Sequence, residues 1–206
     1  MLASGLRQAA LGLMRRNIAA LAEGNPDAIV VACASCGSAL KELYAEAFEA
    51  AGDAASAQAA RDMAAKTHDI AQFLVERGYQ RPTKPLERRV TYHDPCHLVR
   101  GQGITAQPRA ILRSIPGVDF TEHGEADRCC GGGGTFSFSY YELSRRIQER
   151  KVRSIGAANP DVIATGCPGC KYHLNDGLQR LGMSQRAVHT VQLLAEAYGE
   201  RPPGSA

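Results

Sequence analysis

Seven cysteines carry most of the chemistry this chain can do, and they fall in short clusters. Cys33 and Cys36 form one Cys-x-x-Cys pair, and Cys167 and Cys170 form a second. Between them lie Cys96 and the adjacent pair Cys129-Cys130, which runs into Gly131-Gly132-Gly133-Gly134. From Cys96 onward the order is Cys, 32 residues, Cys-Cys, 36 residues, Cys-x-x-Cys. Thiolates are soft ligands that select iron–sulfur clusters, zinc or copper(I). These five thiols exceed the four of a tetrahedral zinc site. Adjacent cysteines suit a cluster of several irons better than one ion, because neighbouring thiolates can bind different irons or bridge two. Glycines lack Cβ, so Gly131 and Gly132 can approach a bulky cofactor and offer backbone N–H groups to its sulfur. The expected metal ligands are therefore Cys96, Cys129, Cys130, Cys167 and Cys170, with Cys33 and Cys36 as half of a further set. No catalytic residue is legible.

Other chemistries fit less of the pattern. An odd number of cysteines without a signal peptide argues against a secreted disulfide framework. Cys167-Pro168-Gly169-Cys170 between a strand and a helix has the thioredoxin arrangement, in which a helix N-terminus lowers a thiol pKa. That reading leaves the second Cys-x-x-Cys and the double cysteine unexplained. A structural or vestigial zinc site is a further alternative. The glycine run lacks the Lys-Ser/Thr ending of a P-loop, since Thr135-Phe136 follows it. His93, His97 and His173 lie near cysteines and read as donors or packing groups rather than iron ligands. Arg145, Arg146, Arg150, Lys151 and Arg153 read as a solvated helix face, with a docking patch for an acidic redox partner as the alternative.

The elements that must position these residues alternate. Strands are predicted at 28–32, a wholly apolar run of the kind buried on both faces, and at 88–93, 118–121 and 161–165. Helices are predicted over 5–23, 38–51, 54–78, 107–114, 139–157, 170–181 and 187–199. Residues 80–86 read as a connector. Alternation of this kind is α/β with a mostly parallel sheet. Cys96, the Cys-Cys pair and the second Cys-x-x-Cys each follow a strand, so they can converge at one sheet edge.

The chain also repeats itself at an offset of 134 residues. Between 24 and 42, seven of 19 positions match: Asn25, Pro26, Asp27, Ile29, Cys33, Cys36 and Leu40 recur as Asn159, Pro160, Asp161, Ile163, Cys167, Cys170 and Leu174. By that offset Met1 aligns with Thr135, just past the glycine run. The expected organisation is residues 1–84 as the C-terminal part of a first repeat plus a helical connector, 85–200 as a complete second repeat, and 201–206 as a disordered tail. The first repeat is expected to be N-terminally truncated. The first 20 residues hold no acid, as in a transit peptide, but the repeat accounts for them as a helix.

A composition of 44% apolar and 22% charged residues is that of a globular protein and excludes disorder of the whole. A net charge of +3 is too small to argue for nucleic acid, and no apolar run reaches the roughly 20 residues of a membrane span.

The cysteine spacing, with His93-Asp94-Pro95-Cys96-His97, Cys129-Cys130-Gly131-Gly132-Gly133-Gly134-Thr135-Phe136 and Asn159-Pro160-Asp161, resembles the cysteine-rich, or CCG, domain family. That family includes the cysteine-rich subunit of heterodisulfide reductase, the glycolate oxidase iron–sulfur subunit and the lactate-utilisation iron–sulfur protein. The resemblance implies tandem cysteine-rich domains and a [4Fe-4S] cluster, noncubane in heterodisulfide reductase. It implies an electron-transfer subunit served by a flavoprotein that oxidises glycolate, lactate or a similar 2-hydroxy acid. The alternative is a heterodisulfide-reductase-like subunit acting on a disulfide. A ferredoxin-like module accompanies some members, but no Cys-x-x-Cys-x-x-Cys run occurs here, so a separate ferredoxin-like subunit is a further expected partner. The expected location is the cytoplasm, or the inner face of the membrane through a complex.

Overall fold

Short strands alternate with helices throughout the computed structural model, which describes residues 4–200. The expected tail at 201–206 lies outside the described residues. Contacts divide the chain after Ile70 into two units.

The first unit runs through helix α1 (Arg7–Ala22), strand β1 (Ile29–Val31) and helix α2 (Ala34–Ser38). A π-helical segment (Ala39–Leu43), α3 (Tyr44–Glu49), α4 (Ala54–Lys66) and β2 (Thr67–Asp69) follow. Leu11 and Met14 of α1, Tyr44 and Phe48 of α3, and Ala57, Ala60 and Met63 of α4 pack around Ile29. Asp53 caps α4 by accepting the Ser56 N–H at 3.0 Å and pairs with Arg15 of α1 at 2.6 Å. β1 and β2 form a two-stranded parallel sheet with Ile29 opposite Thr67. Two expectations change here. A two-stranded sheet leaves one face open, so Val30 is 42% exposed rather than buried on both faces. The helix expected over 54–78 is interrupted by β2, whose pairing with β1 outweighs the helical propensity around it.

The second unit contains α5 (Ile70–Arg77), which begins at the division, then β3 (Arg88–His93), α6 (Cys96–Gln102), α7 (Ala106–Ser114) and β4 (Val118–Phe120). It continues through α8 (Phe136–Ser139), α9 (Tyr141–Ala157), β5 (Val162–Thr165), α10 (Pro168–Arg180), β6 (Arg186–His189) and α11 (Thr190–Ala197). Its sheet has the order β4-β3-β5-β6, every pair parallel, with His93 opposite Thr165. Both faces are covered, and β5 shows how. Val162 and Ala164 enter one core with Ile111 and Leu112 of α7 and Leu193 and Leu194 of α11. Ile163, pointing the other way, meets Val152 and Ile155 of α9 and Leu174 and Leu178 of α10.

The helix expected from 187 gives way at its start to β6, which pairs with β5 and buries Ala187 and His189. α11 then begins with a capping box, in which His189 accepts from the backbone and Gln192 accepts the His189 N–H. The repeat has a backbone signature as well. Asn25 and Asn159 are the two non-glycine residues with positive φ among the described residues, at 46° and 45°. No described helix is long and apolar enough to cross a membrane.

The chain passes from β3 to β4 on one side and returns to β5 on the other. The carboxyl ends of β3 and β5 therefore flank a topological switch point, the crevice where open α/β sheets place their ligands.

Candidate metal centre

Three loops empty into that crevice. Pro95 caps α6, which puts Cys96 at its first position, three residues beyond β3. Cys167 caps α10 two residues beyond β5, and Cys170 sits in its first turn behind Pro168, whose fixed φ suits a helix start. Cys129 and Cys130 come from the long segment between β4 and α8.

The five sulfurs form one unbroken chain. The Cys96 and Cys130 thiols both hydrogen-bond to the Cys129 sulfur, which also accepts the Gly131 N–H at 3.3 Å. Cys170 bonds in turn to Cys130 and Cys167. These contacts set the thiol acidities. Cys129 is held well below the usual thiol range, first by Cys130 and then by Cys96. Cys130 is pushed up to about 11, chiefly because it gives its hydrogen bond to Cys129. Cys96 is raised for the same reason, and Cys170 by its bonds to Cys130 and Cys167.

His93 closes the site from the sheet side. A ring nitrogen of His93 and the sulfurs of Cys130 and Cys170 all lie within 4.8 Å of one another. The residue is fully buried, and neither ring nitrogen has a hydrogen-bond partner. Burial, then Lys151 and His123, push its pKa down to about 3, so the ring is neutral and presents one donor and one acceptor. An imidazole buried without a partner is costly. A metal group among these sulfurs would supply that partner, and five soft thiols with an orphaned imidazole fit such a group.

The double-cysteine loop is tied down on several sides. Ser144 of α9 donates to the Gly131 carbonyl at 2.8 Å. The His173 ring donates to the Cys130 carbonyl and lies against Gly132, where a Cβ would come within 2.8 Å of it. The Asp94 N–H reaches the Ala126 carbonyl at 3.0 Å. Arg109 of α7 clamps buried Asp94 at 2.6 and 2.8 Å, holding the turn between His93 and Cys96, and stacks over Tyr92 at 5.1 Å. The hydrogen bond with Asp94 is the main reason the Arg109 pKa is raised.

Sequence reasoning placed Lys151 on a solvated face. It is 1% exposed, and its Nζ donates to the carbonyls of Glu125 and Ala126. Burial lowers its pKa to about 8, and Cys130 is the first of the groups that hold the proton on. His123, also buried, was not singled out in the sequence; burial first, then Lys151, bring its pKa down to about 4. Nothing local marks Lys151 among its basic neighbours, and only packing against the loop distinguishes it. The Asp94–Arg109 pair had a partial signal, since Asp94 lies inside His93-Asp94-Pro95-Cys96.

Cys33 and Cys36 repeat the local geometry of Cys167 and Cys170 in the first unit. Cys33 caps α2, with its sulfur 3.4 Å from the Ser35 hydroxyl, and Cys36 is exposed. That unit contains no other cysteine.

A parallel α/β sheet whose carboxyl-edge loops gather this many thiols defines a class of cysteine-rich domain. The profile of the cysteine-rich (CCG) domain family matches residues 1–41 and 90–175, and the chain belongs to that family. It is 36% identical to a fumarate reductase (CoM/CoB) subunit of Methanothermobacter marburgensis, over 91% of this chain and 35% of that protein. It is 33% identical to a probable glycolate oxidase iron-sulfur subunit of Bacillus subtilis, over 96% of this chain and 45% of that one. Identity to lactate utilization protein A of Oceanobacillus iheyensis is 34%, over 93% of this chain and 77% of that one. The chain thus spans less than half the length of the first two.

Proposed function

We propose that this chain is an iron–sulfur electron-transfer subunit of an oxidoreductase complex, with Cys96, Cys129, Cys130, Cys167 and Cys170 holding a [4Fe-4S] cluster. The observation that carries this reading is the unbroken chain of five sulfurs with His93 orphaned beside it. A cluster of this kind takes up and passes on one electron at a time. The protein's own residues do the rest. Cys129 gathers donors from three sides and Gly131 aims its N–H at that sulfur. Gly132 lets His173 close over the loop, and His93 supplies a neutral donor from the sheet. Burial of His93, Cys130 and Cys167 keeps water from that side of the site.

The proposed donor is a flavoprotein that oxidises a 2-hydroxy acid to a 2-oxo acid. Its flavin would supply the acceptor for the two electrons and two protons released, and would pass the electrons on singly. The names of the Bacillus and Oceanobacillus relatives support glycolate or lactate as the acid. A ferredoxin-like subunit is the proposed neighbour in the electron path, and the cytoplasm the proposed location. Cys33 and Cys36 are proposed as part of a further thiolate set in the first repeat.

The test is anaerobic reconstitution of the full chain, with iron, acid-labile sulfide and zinc measured. Wild type is expected to hold iron and sulfide, and Cys129→Ser and Cys130→Ser to lose most of both while far-UV circular dichroism is unchanged. Full iron in both variants, or zinc alone in wild type, would defeat the cluster assignment. In the purified complex, glycolate or lactate is expected to bleach the cluster absorbance. Failure of both acids would remove the hydroxy-acid assignment and leave the disulfide-reducing reading in its place.

A further inference from the structure

Lys151 is a buried cation with no carboxylate of its own. It lies on α9 at 1% exposure, and its hydrogen bonds run to the backbone carbonyls of Glu125 and Ala126. Two of the three nearby acids already have guanidinium partners: Asp94 pairs with Arg109 at 2.6 Å, and Glu125 with Arg150 at 2.6 Å, while Asp127 acts on Lys151 only through space. A charge in such a place is costly unless an opposite charge faces it. Bound to metal as thiolates, the cysteines would supply that opposite charge. Lys151 lines, with Cys129, a cavity of about 270 Å³, and Cys130 is the strongest of the negative groups acting on it.

The carbonyls it holds matter as much as its charge. Ala126 also accepts the Asp94 N–H at 3.0 Å. The ammonium therefore holds to α9 the segment leading to Cys129 and Cys130, at the same carbonyl that the Asp94 N–H ties to the turn carrying His93 and Cys96. A lysine buried merely for its methylene stem would need neither contact.

We propose that Lys151 is a positioning residue for the cluster: it fixes the Glu125–Ala126 backbone that delivers Cys129 and Cys130, and its positive charge favours the reduced, more negative state of the thiolate-bound iron. This inference rests on the iron–sulfur reading above. A cation beside a redox group makes an added electron easier to hold, so removing it lowers the potential.

The experiment compares Lys151→Met, Lys151→Gln and Lys151→Arg with wild type, each as the full chain reconstituted anaerobically and titrated for midpoint potential at matched iron content. Lys151→Met and Lys151→Gln are expected to shift the reduction equilibrium about tenfold toward the oxidised form, a fall of about 59 mV for a one-electron couple. Lys151→Arg is expected to stay within about threefold of wild type. An unchanged potential in a fully loaded Lys151→Met or Lys151→Gln protein overturns the proposal. Should Lys151→Met fail to load, the iron-free proteins give a second readout, the alkylation rate of buried Cys130. A rise of about tenfold over wild type, reversed in Lys151→Arg, supports the positioning role, and an unchanged rate overturns it. If wild type itself takes up no iron and sulfide, the cluster reading falls on its own. The alkylation comparison still decides whether Lys151 holds the loop.

Discussion

Replacing Gly131 by alanine tests whether the double-cysteine loop is held by the shape of the protein around it. Gly131 has φ of 94°, a region that side chains other than glycine adopt at a cost of about 1–3 kcal/mol. A Cβ there would stand 2.8 Å from the Ser144 carbonyl oxygen and 3.2 Å from Ile147 Cβ. The carbonyl belongs to α9 backbone and cannot swing aside like a side chain, so overpacking adds about 1–3 kcal/mol. The expected cost is about 2–6 kcal/mol, against a whole-domain stability of about 5–15 kcal/mol. Gly133 is the internal control. Its φ is not positive and nothing lies within 4 Å of a Cβ placed there, so Gly133→Ala should stay within about 0.5 kcal/mol of wild type. Urea unfolding of the iron-free chain followed by far-UV circular dichroism reads a global loss. Alkylation of Cys130, buried in the native loop, reads a local one. Gly131→Ala should lower the midpoint, speed alkylation, or do both. If it matches Gly133→Ala in both measurements, the loop is not braced against α9 as described.

Other substitutions probe the same frame. Arg109→Met should cost about 3–5 kcal/mol, because it strands the buried Asp94 carboxylate, and Arg109→Met with Asp94→Asn should recover much of that loss. A double variant no more stable than Arg109→Met would show that the pair is not the cause. His123, with a folded pKa of about 4 against 6.5 in the unfolded chain, binds its proton more readily when unfolded. Stability of the iron-free protein should therefore fall as pH drops from about 6.5 to about 4, and His123→Asn should flatten that part of the curve. Equal pH slopes in the two proteins would remove His123 as the source.

Legibility in the sequence followed the length and polarity of each element. The apolar run of β5, the Val90-Thr91-Tyr92 centre of β3 and the Cys-x-x-Cys turns stand out, because β-branched and aromatic residues between turn signals mark strands and their loops. Thr67-His68-Asp69 and Arg186-Ala187-Val188-His189 do not. Each is short, largely polar and followed directly by a helix, so the helical period runs through it. The capping box of His189 and Gln192 was a usable signal, and Asp69 and Gln72 have the same spacing. The convergence of the thiols was readable from the order of strands and loops. The burial of Lys151 was not, because it depends on where the Glu125–Ala126 carbonyls point, which no local pattern encodes.

The paired asparagines of the repeat act as a ruler. Asn25 and Asn159 each turn the backbone through a left-handed conformation, and each is followed eight residues later by the first cysteine of its Cys-x-x-Cys. In the second unit the zero mark is fastened: the Asp161 N–H bonds to the Arg89 carbonyl at 2.8 Å, and the Asp161 carboxylate takes the Arg89 N–H at 2.8 Å. Since strand side chains alternate with a period of two, one residue inserted between Asn159 and Cys167 would turn Val162, Ile163 and Ala164 to the wrong cores or swing Cys167 out of phase with Cys130. The spacing is the same in both units although their downstream lengths differ, α4 standing between the Cys-x-x-Cys helix and the next strand in the first unit alone. A measured length of chain, more than any single side chain, sets where each Cys-x-x-Cys stands relative to its strand.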